Sequence, residues 1–279
     1  MSGDRTPSDS ERDSHDFRDV VVVVGGVAGL STAVFTARQG LDTLVIDDGG
    51  SLLRRNAHLE NFPGFPLGVD ARRLLDLLAE QAATAGADRF DGRATRVAAV
   101  GEGESVETGG DEAVDDARFV VEVDGDDADD PSDPSDPTRT RHVVAATKNE
   151  VGYLEGVEGV GILDRGKSYV DTDERGRTGV DGLYAAGRLA EKPHQAAVCA
   201  GHGAEVGVTI LEEDERGFYH DWVAPEGYFT DRGRQVPPGC EEIDAAERRE
   251  REEASREAIR ERFAAPHPDP QETHPSLEE

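Results

Sequence analysis

The chain has 279 residues, enough for one large domain or two small ones. Its 60 Asp and Glu outweigh 30 Lys and Arg, a formal net charge of −30, which disfavours nucleic acid as a partner. An excess of this size repels itself unless salt screens it, and at 1 M salt the Debye length falls to about 3 Å. With only Lys148, Lys167 and Lys192 as lysines, the composition reads as a halophile's soluble, cytoplasmic protein. An acidic nucleic-acid mimic or a disordered chain would lack the ordered apolar segments that follow. Counting glycine, about 46% of residues are apolar, an ordinary globular value.

The acidic N-terminal segment, residues 1–17, reads as a disordered tail without the apolar core of a secretory signal. Val20–Val24 then predicts a buried strand, Gly25–Gly26 a turn, and Ala28–Gln39 a helix with Leu30, Ala33, Val34 and Ala37 on one face. Gly40 suits the C-cap, and Thr43–Ile46 is the next strand, ending at Asp47. This β-α-β order begins a parallel sheet. The apolar stretch Val20–Phe35 is too short and too interrupted to cross a bilayer, so no membrane is expected.

Asp70 caps a second predicted helix, Ala71–Ala85, with Leu74, Leu78 and Ala82 in register and Gly86 behind it. Strands are expected at Arg96–Val100, Arg118–Val123 and His142–Ala146, with an acidic exposed loop at 124–138. A short strand near Val180–Ala186 precedes a helix from about Gln195 to Leu211. Residues 18–214 thus form one α/β domain, and 215–279 a C-terminal extension. That extension holds an aromatic, Pro/Gly-rich stretch and a charged helix with a thin stripe at Ile243, Ala246, Ala258, Ile259 and Phe263. The aromatic segment Phe218–Phe229 reads as packed extension before lid or dimer contact.

The turn carries the first chemical signal. A dinucleotide-binding loop reads Gly-x-Gly-x-x-Gly; here it is Val24-Gly25-Gly26-Val27-Ala28-Gly29, with the first glycine replaced. Strand, turn and helix N-terminus aim backbone amides at one place, so Gly25, Gly26, Val27, Ala28 and Gly29 are the candidates for holding a pyrophosphate. Asp47 lies 18 residues beyond Gly29, where an acid grips a ribose hydroxyl. The competing reading is an ordinary tight β-α turn. Valine resists positive φ, so the turn is expected to begin at Gly25 instead.

Three further segments, HLENFPGFP (58–66), GRTGVDGLYAAGR (176–188) and EKPHQAAVCAGHGAEV (191–206), resemble flavin-contacting segments of the thioredoxin reductase-like oxidoreductases. The resemblance covers most of residues 18–211. It implies an FAD-binding, Rossmann-like domain of the two-dinucleotide-domain type, a parallel sheet with a β-meander. It also implies FAD as cofactor, with Asn61 beside the flavin, Gly187 and Arg188 near the ribityl chain, and His194, Gln195 and Ala196 opening a helix against the flavin's pyrimidine edge.

The chain departs from that family in four places. No second nucleotide domain separates the two halves, and no redox Cys pair is present; Cys199 and Cys240 are far apart. Ala146-Thr147-Lys148 stands for Ala-Thr-Gly, and Arg188 for aspartate, where its guanidinium would meet a phosphate or a flavin carbonyl. The expectation is an FAD-dependent oxidoreductase that takes electrons from its small-molecule substrate, from free reduced nicotinamide or from a redox protein such as ferredoxin. A homodimer is allowed. The alternative is a non-catalytic flavin- or nucleotide-binding protein with a degenerate site. Cys199 reads as a small core residue, His58 as a loop histidine, and no metal-ligand spacing occurs.

Overall fold

A computed structural model describes residues 17–100, 117–125, 137–214 and 216–274. The N-terminal tail through residue 16 and nearly all of the acidic loop lie outside the described residues. By internal contacts the chain divides into residues 1–209 and 210–279.

The first unit is an α/β sheet structure. Strand β1 (Phe17–Val23) pairs in parallel with β2 (Thr43–Asp47) on one edge and with β5 (Thr138–Ala145) on the other. β8 (Leu183–Ala185) extends the sheet in parallel beyond β5. Val20 to Val23 are buried on both faces, as a central parallel strand requires. β1 begins at Phe17, not Val20, because Phe17 and Arg18 already pair with Arg139 and Thr140.

Strand β3 (Asp88–Ala99) is much longer than the expected Arg96–Val100. Its first residues run parallel to β2, and from Gly92 onward it pairs antiparallel with β4 (Phe119–Gly125), across a bulge between Ala94 and Arg96. β4 pairs in turn with the start of β5, completing the meander. The polar run DRFDGRAT hid the first half of β3, since most of its residues are not buried.

Helix α1 (Val27–Arg38) follows β1 through the glycine turn, and α2 (Ala71–Ala85) is capped by the Asp70 carboxylate, which accepts from the Arg72 and Arg73 amides. Helix α3 (Ala196–Glu213) lies against α1 by way of two glycines. A side chain at Gly203 would strike the Ala28 carbonyl, and one at Gly207 would come within 2.8 Å of Phe35 Cβ. The Thr32 hydroxyl donates to the Gly203 carbonyl at 2.8 Å, fixing the crossing.

Between β5 and β8, residues 146–182 hold a 3-10 turn (Gly152–Leu154) and an antiparallel hairpin of β6 (Ile162–Asp164) and β7 (Ser168–Val170). The hairpin escaped sequence reading because its strands are three residues each.

In the second unit, β9 (Trp222–Pro225) and β10 (Cys240–Ile243) pair in parallel, order that the aperiodic sequence did not announce. The Glu242 carboxylate accepts from the Gly227, Phe229 and Thr230 amides and the Thr230 hydroxyl, and Trp222, Tyr228 and Phe229 meet edge to face. Helix α4 (Ala245–Arg262), capped by Asp244, buries no residue; Ile259 and Phe263 of the expected stripe are exposed, and Ile243 belongs to β10. Among the described residues, no helix is long and apolar enough to cross a membrane.

Candidate functional site

Four stretches, the last two near neighbours in sequence, meet at the C-terminal edge of the parallel strands. The first is the turn after β1. Val24 adopts φ +82°, so the valine takes the left-handed conformation of the glycine it replaces, against the expectation that the turn would shift to Gly25. Both ends of the residue are pinned. Its amide donates to the Ile46 carbonyl at 2.8 Å, and its own carbonyl lies against Gly29, where any Cβ would collide with it.

The glycines of the turn differ in their reasons. At Gly25 a Cβ would lie 2.5 Å from the Asp47 carboxylate, and at Gly29 it would strike Val24, so packing demands both. Gly26 is different: its φ is −77°, open to any residue, and a Cβ there would meet nothing nearer than Ser51 Oγ at 3.9 Å. Gly26 is the N-cap of α1, has no side-chain cap, and no acid stands in the first turn. The amides of Val27, Ala28 and Gly29 precede the helical hydrogen bonds, so the bare Gly26 leaves a cradle for an anion.

Asp47 ends β2 beside this turn, as expected, with its side chain buried. Its carboxylate accepts from the Gly49 amide at 3.1 Å and pairs with Arg89 at 3.2 Å.

The second stretch is the loop 58–69, pinched by a bridge between Leu59 and Val69. It carries Asn61, whose side-chain amide donates to the Gln195 side-chain carbonyl at 2.7 Å. Two residues named from separate segments, 134 positions apart, are thus brought into contact. His58 pairs with Glu60 at 2.7 Å in the same exposed loop, its ring lying against Gly68.

The third stretch is the 3-10 turn Gly187–Ala190. Gly187, at φ +64°, sits where a Cβ would be 2.7 Å from Ala28 Cβ and 3.3 Å from Cys199 Cβ, so the starts of α1 and α3 converge on it. Its amide donates to His202 Nδ1 at 3.0 Å. Burial, with Lys192 nearby, holds the His202 pKa down to about 4. Arg188 follows Gly187 in the same turn. Its guanidinium lies 4.8 Å from the Tyr169 ring centre and donates to the Tyr169 hydroxyl and to the Lys192 carbonyl.

The fourth is the start of α3, where Gln195, Ala196 and the exposed His194 stand as expected. The His194 ring has its pKa lowered by partial burial and then by Lys148, Arg188 and Lys167. Those lysines, and His202, were not singled out by sequence. Lys148 carried one signal, its replacement of a glycine, and the structure holds it at φ +62°. Cys199 is buried, its thiol pushed up by burial, and its Sγ faces the Pro193 carbonyl at 3.6 Å, a core residue as read. No group of three His, Cys, Asp or Glu suited to a metal occurs among the described residues.

A parallel sheet with an antiparallel meander, a glycine turn opening α1 and a second helix start beside it define a Rossmann-type α/β fold. No family model matches the chain. Thioredoxin reductase from Streptomyces coelicolor is 37% identical over 76 residues, which is 26% of this chain and 24% of the relative. Thioredoxin reductase from Aquifex aeolicus is 35% identical over 77 residues, 27% and 24% of the two chains. NADPH-dependent thioredoxin reductase 3 from Arabidopsis thaliana is 32% identical over 92 residues, 30% and 17%. The matched span is about a quarter or less of these relatives' length.

In fold, a thioredoxin reductase from Gloeobacter violaceus aligns at TM-score 0.55 and 17% identity, over 74% of this chain and 99% of that one. One from T. acidophilum aligns at 0.51 and 15%, over 71% and 99%. Local sequence and overall fold agree that the chain is thioredoxin reductase-like.

Proposed function

We propose that this chain is an FAD-dependent oxidoreductase that works without the family's nicotinamide domain or dithiol. The observation that carries the reading is the Asn61–Gln195 hydrogen bond beside the converging starts of α1 and α3. It joins segments that the resemblance assigns to one cofactor.

The residues present fit FAD. The amides after Gly26 would hold the pyrophosphate, Asp47 the adenosine ribose, and Asn61, Gln195 and Ala196 the flavin edge. Bound there, FAD would supply the two-electron chemistry. The chain's own part is to orient and to tune charge. The N-terminal end of α3 favours negative charge at the flavin's pyrimidine edge, and Gly187 is held in place by His202. His194, with its pKa lowered, stands neutral at pH 7 at the same helix start.

Support for a route without a bound nicotinamide comes from residues 146–182, whose described elements are a 3-10 turn and a hairpin with no helix. Electrons would then come from the organic substrate or from a redox protein such as ferredoxin. A second reading, nucleotide binding without turnover, is favoured by one observation: the branched Val24 side chain at the head of the turn.

The test is absorbance of protein purified in molar KCl and supplied with FAD. A stoichiometric oxidised-flavin spectrum is expected, and protein that takes up no FAD refutes the reading. If FAD binds, anaerobic stopped-flow should show NADPH bleaching the flavin slowly. Rapid reduction saturating at micromolar NADPH would refute the missing-domain part alone, and a flavin that no donor reduces would favour the second reading.

A further inference from the structure

The few lysines of this acidic chain are not scattered. Lys148 follows β5, Lys167 forms the turn between β6 and β7, and Lys192 follows the turn that holds Arg188. The Asn149 side-chain amide donates to the Ser168 carbonyl at 3.0 Å, which sets the Lys148 and Lys167 segments side by side. Arg188 stacks on Tyr169, two residues beyond Lys167, and donates to the Lys192 carbonyl. Lys148 stands in the positive field of Lys167, Arg55 and Arg188, and Lys148, Arg188 and Lys167 bear on His194 at the start of α3.

These cations lack compensation. With 60 carboxylates in the chain, neither Lys148 nor Lys167 forms an ion pair among the described residues. Two nearby acids are taken, Glu150 by Arg93 at 2.8 Å and Glu191 by Arg165 at 3.2 Å. Like charges repel more strongly near a protein surface than in water. Lys148 adds a second cost, since a side chain at positive φ is strained by about 1–3 kcal/mol, and such strain gathers at functional sites. Neither lysine has an ion-pair partner among the described residues to offset the repulsion. A negative ligand would offset it.

We propose that Lys148, Lys167 and Arg188, beside the N-terminus of α3, bind a small molecule bearing carboxylate or phosphate groups, and that this anion is the substrate. The claim deepens the flavin-oxidoreductase reading and rests on it for the word substrate. A small anion is favoured over an acidic protein by depth and by charge. Lys148 and Arg188 are half-buried behind the exposed Lys167, within reach of a compact ligand. An acidic partner would also have to approach a chain carrying −30 overall.

The experiment is calorimetric titration of the FAD-loaded full chain with citrate and with inorganic phosphate, at ionic strength held constant by exchange against KCl. Saturable 1:1 binding of at least one is expected, and the preferred probe separates carboxylate from phosphate chemistry. The double variant Lys148→Asn, Lys167→Gln should bind at least tenfold more weakly, with Asn chosen because it tolerates the left-handed backbone. The control Arg249→Gln, Arg256→Gln on α4 removes the same charge elsewhere and should leave affinity unchanged.

Absence of saturable binding by both probes overturns the proposal, as does equal loss in the control. So does loss of FAD by the lysine variant, which would assign the cluster to the cofactor's own phosphates. Binding of a reduced acidic electron-transfer protein with both small anions silent overturns it too. If wild-type protein takes up no FAD but still binds the probe through the lysines, the anion site stands and the flavin reading falls.

Discussion

Val24 offers a sharp test, because its backbone asks for glycine while its side chain does not. At φ +82° an L-residue pays about 1–2 kcal/mol. Glycine there would lift that cost but give up the half-buried valine side chain, about 1 kcal/mol, and add unfolded-chain entropy of about 0.4–1 kcal/mol. Val24→Gly should therefore leave stability within about 1 kcal/mol of wild type. The comparison that isolates the backbone is with Val24→Ala, since both variants lose the valine methyls and only alanine keeps a Cβ at positive φ. In an ordinary strand alanine beats glycine by about 0.5–1 kcal/mol. Here the order should invert, with Val24→Gly the more stable by about 0.5–1 kcal/mol. Denaturant unfolding of both variants in the same multimolar KCl reads the difference directly. An alanine variant equal to or more stable than the glycine variant would refute the left-handed assignment.

Asp47→Ala should weaken FAD binding about tenfold to a hundredfold, the loss of a charge-assisted bond of roughly 1.5–3 kcal/mol, measured by flavin fluorescence titration. Unchanged affinity would move the ribose elsewhere. Gly203→Ala should destabilise by about 1–3 kcal/mol or more, because the methyl would run into the Ala28 carbonyl at the α1–α3 crossing. A neutral result there would contradict that packing. Melting temperature should rise steeply from about 0.1 M to several molar KCl as salt screens the −30 charge, and a flat curve would count against the halophile reading. His202 has a folded pKa of about 4 against an ordinary 6.5, so the unfolded chain takes up its proton first. Its contribution is whole above pH 6.5 and lost as pH falls toward 4, up to about 3 kcal/mol, so the wild-type minus His202→Gln stability difference should shrink over that window.

The parts of the fold that sequence reveals are those where one face decides everything. Val20–Val23 is buried on both sides and α2 is capped by Asp70 and closed by Gly86, so pattern and structure coincide. β3 stayed half hidden because its first residues pair through the backbone while their side chains face water, leaving no alternation to read. The hairpin of β6 and β7 is too short to carry a period. At the site, Gly25, Gly26, Gly29, Asp47, Asn61 and Gln195 were legible because each belongs to a local motif. The lysine cluster was not, since it is assembled from three loops that only the sheet brings together. Arg188 was legible as a departure but not in its partner, because Tyr169 lies 19 residues earlier on the hairpin.

Val24 and Lys148 bear on one another. Both stand where the resembled family has glycine, and both take a positive φ that favours glycine, +82° and +62°. Each backbone is therefore held against a local cost by its surroundings: Val24 is pinned by Ile46 and Gly29, and Lys148 adjoins Asn149, tied to Ser168. What differs is the use of the side chain. Val24 turns its methyls toward the apolar core of β1, β2 and β5, which strengthens the scaffold beneath the turn. Lys148 cannot pack that way, and half-buried among other cations it raises the energy of the empty site. A strained position filled by an apolar residue is repaid within the fold. One filled by an unpaired charge is repaid only by a ligand, and this is why Lys148, more than Val24, points to what the protein binds.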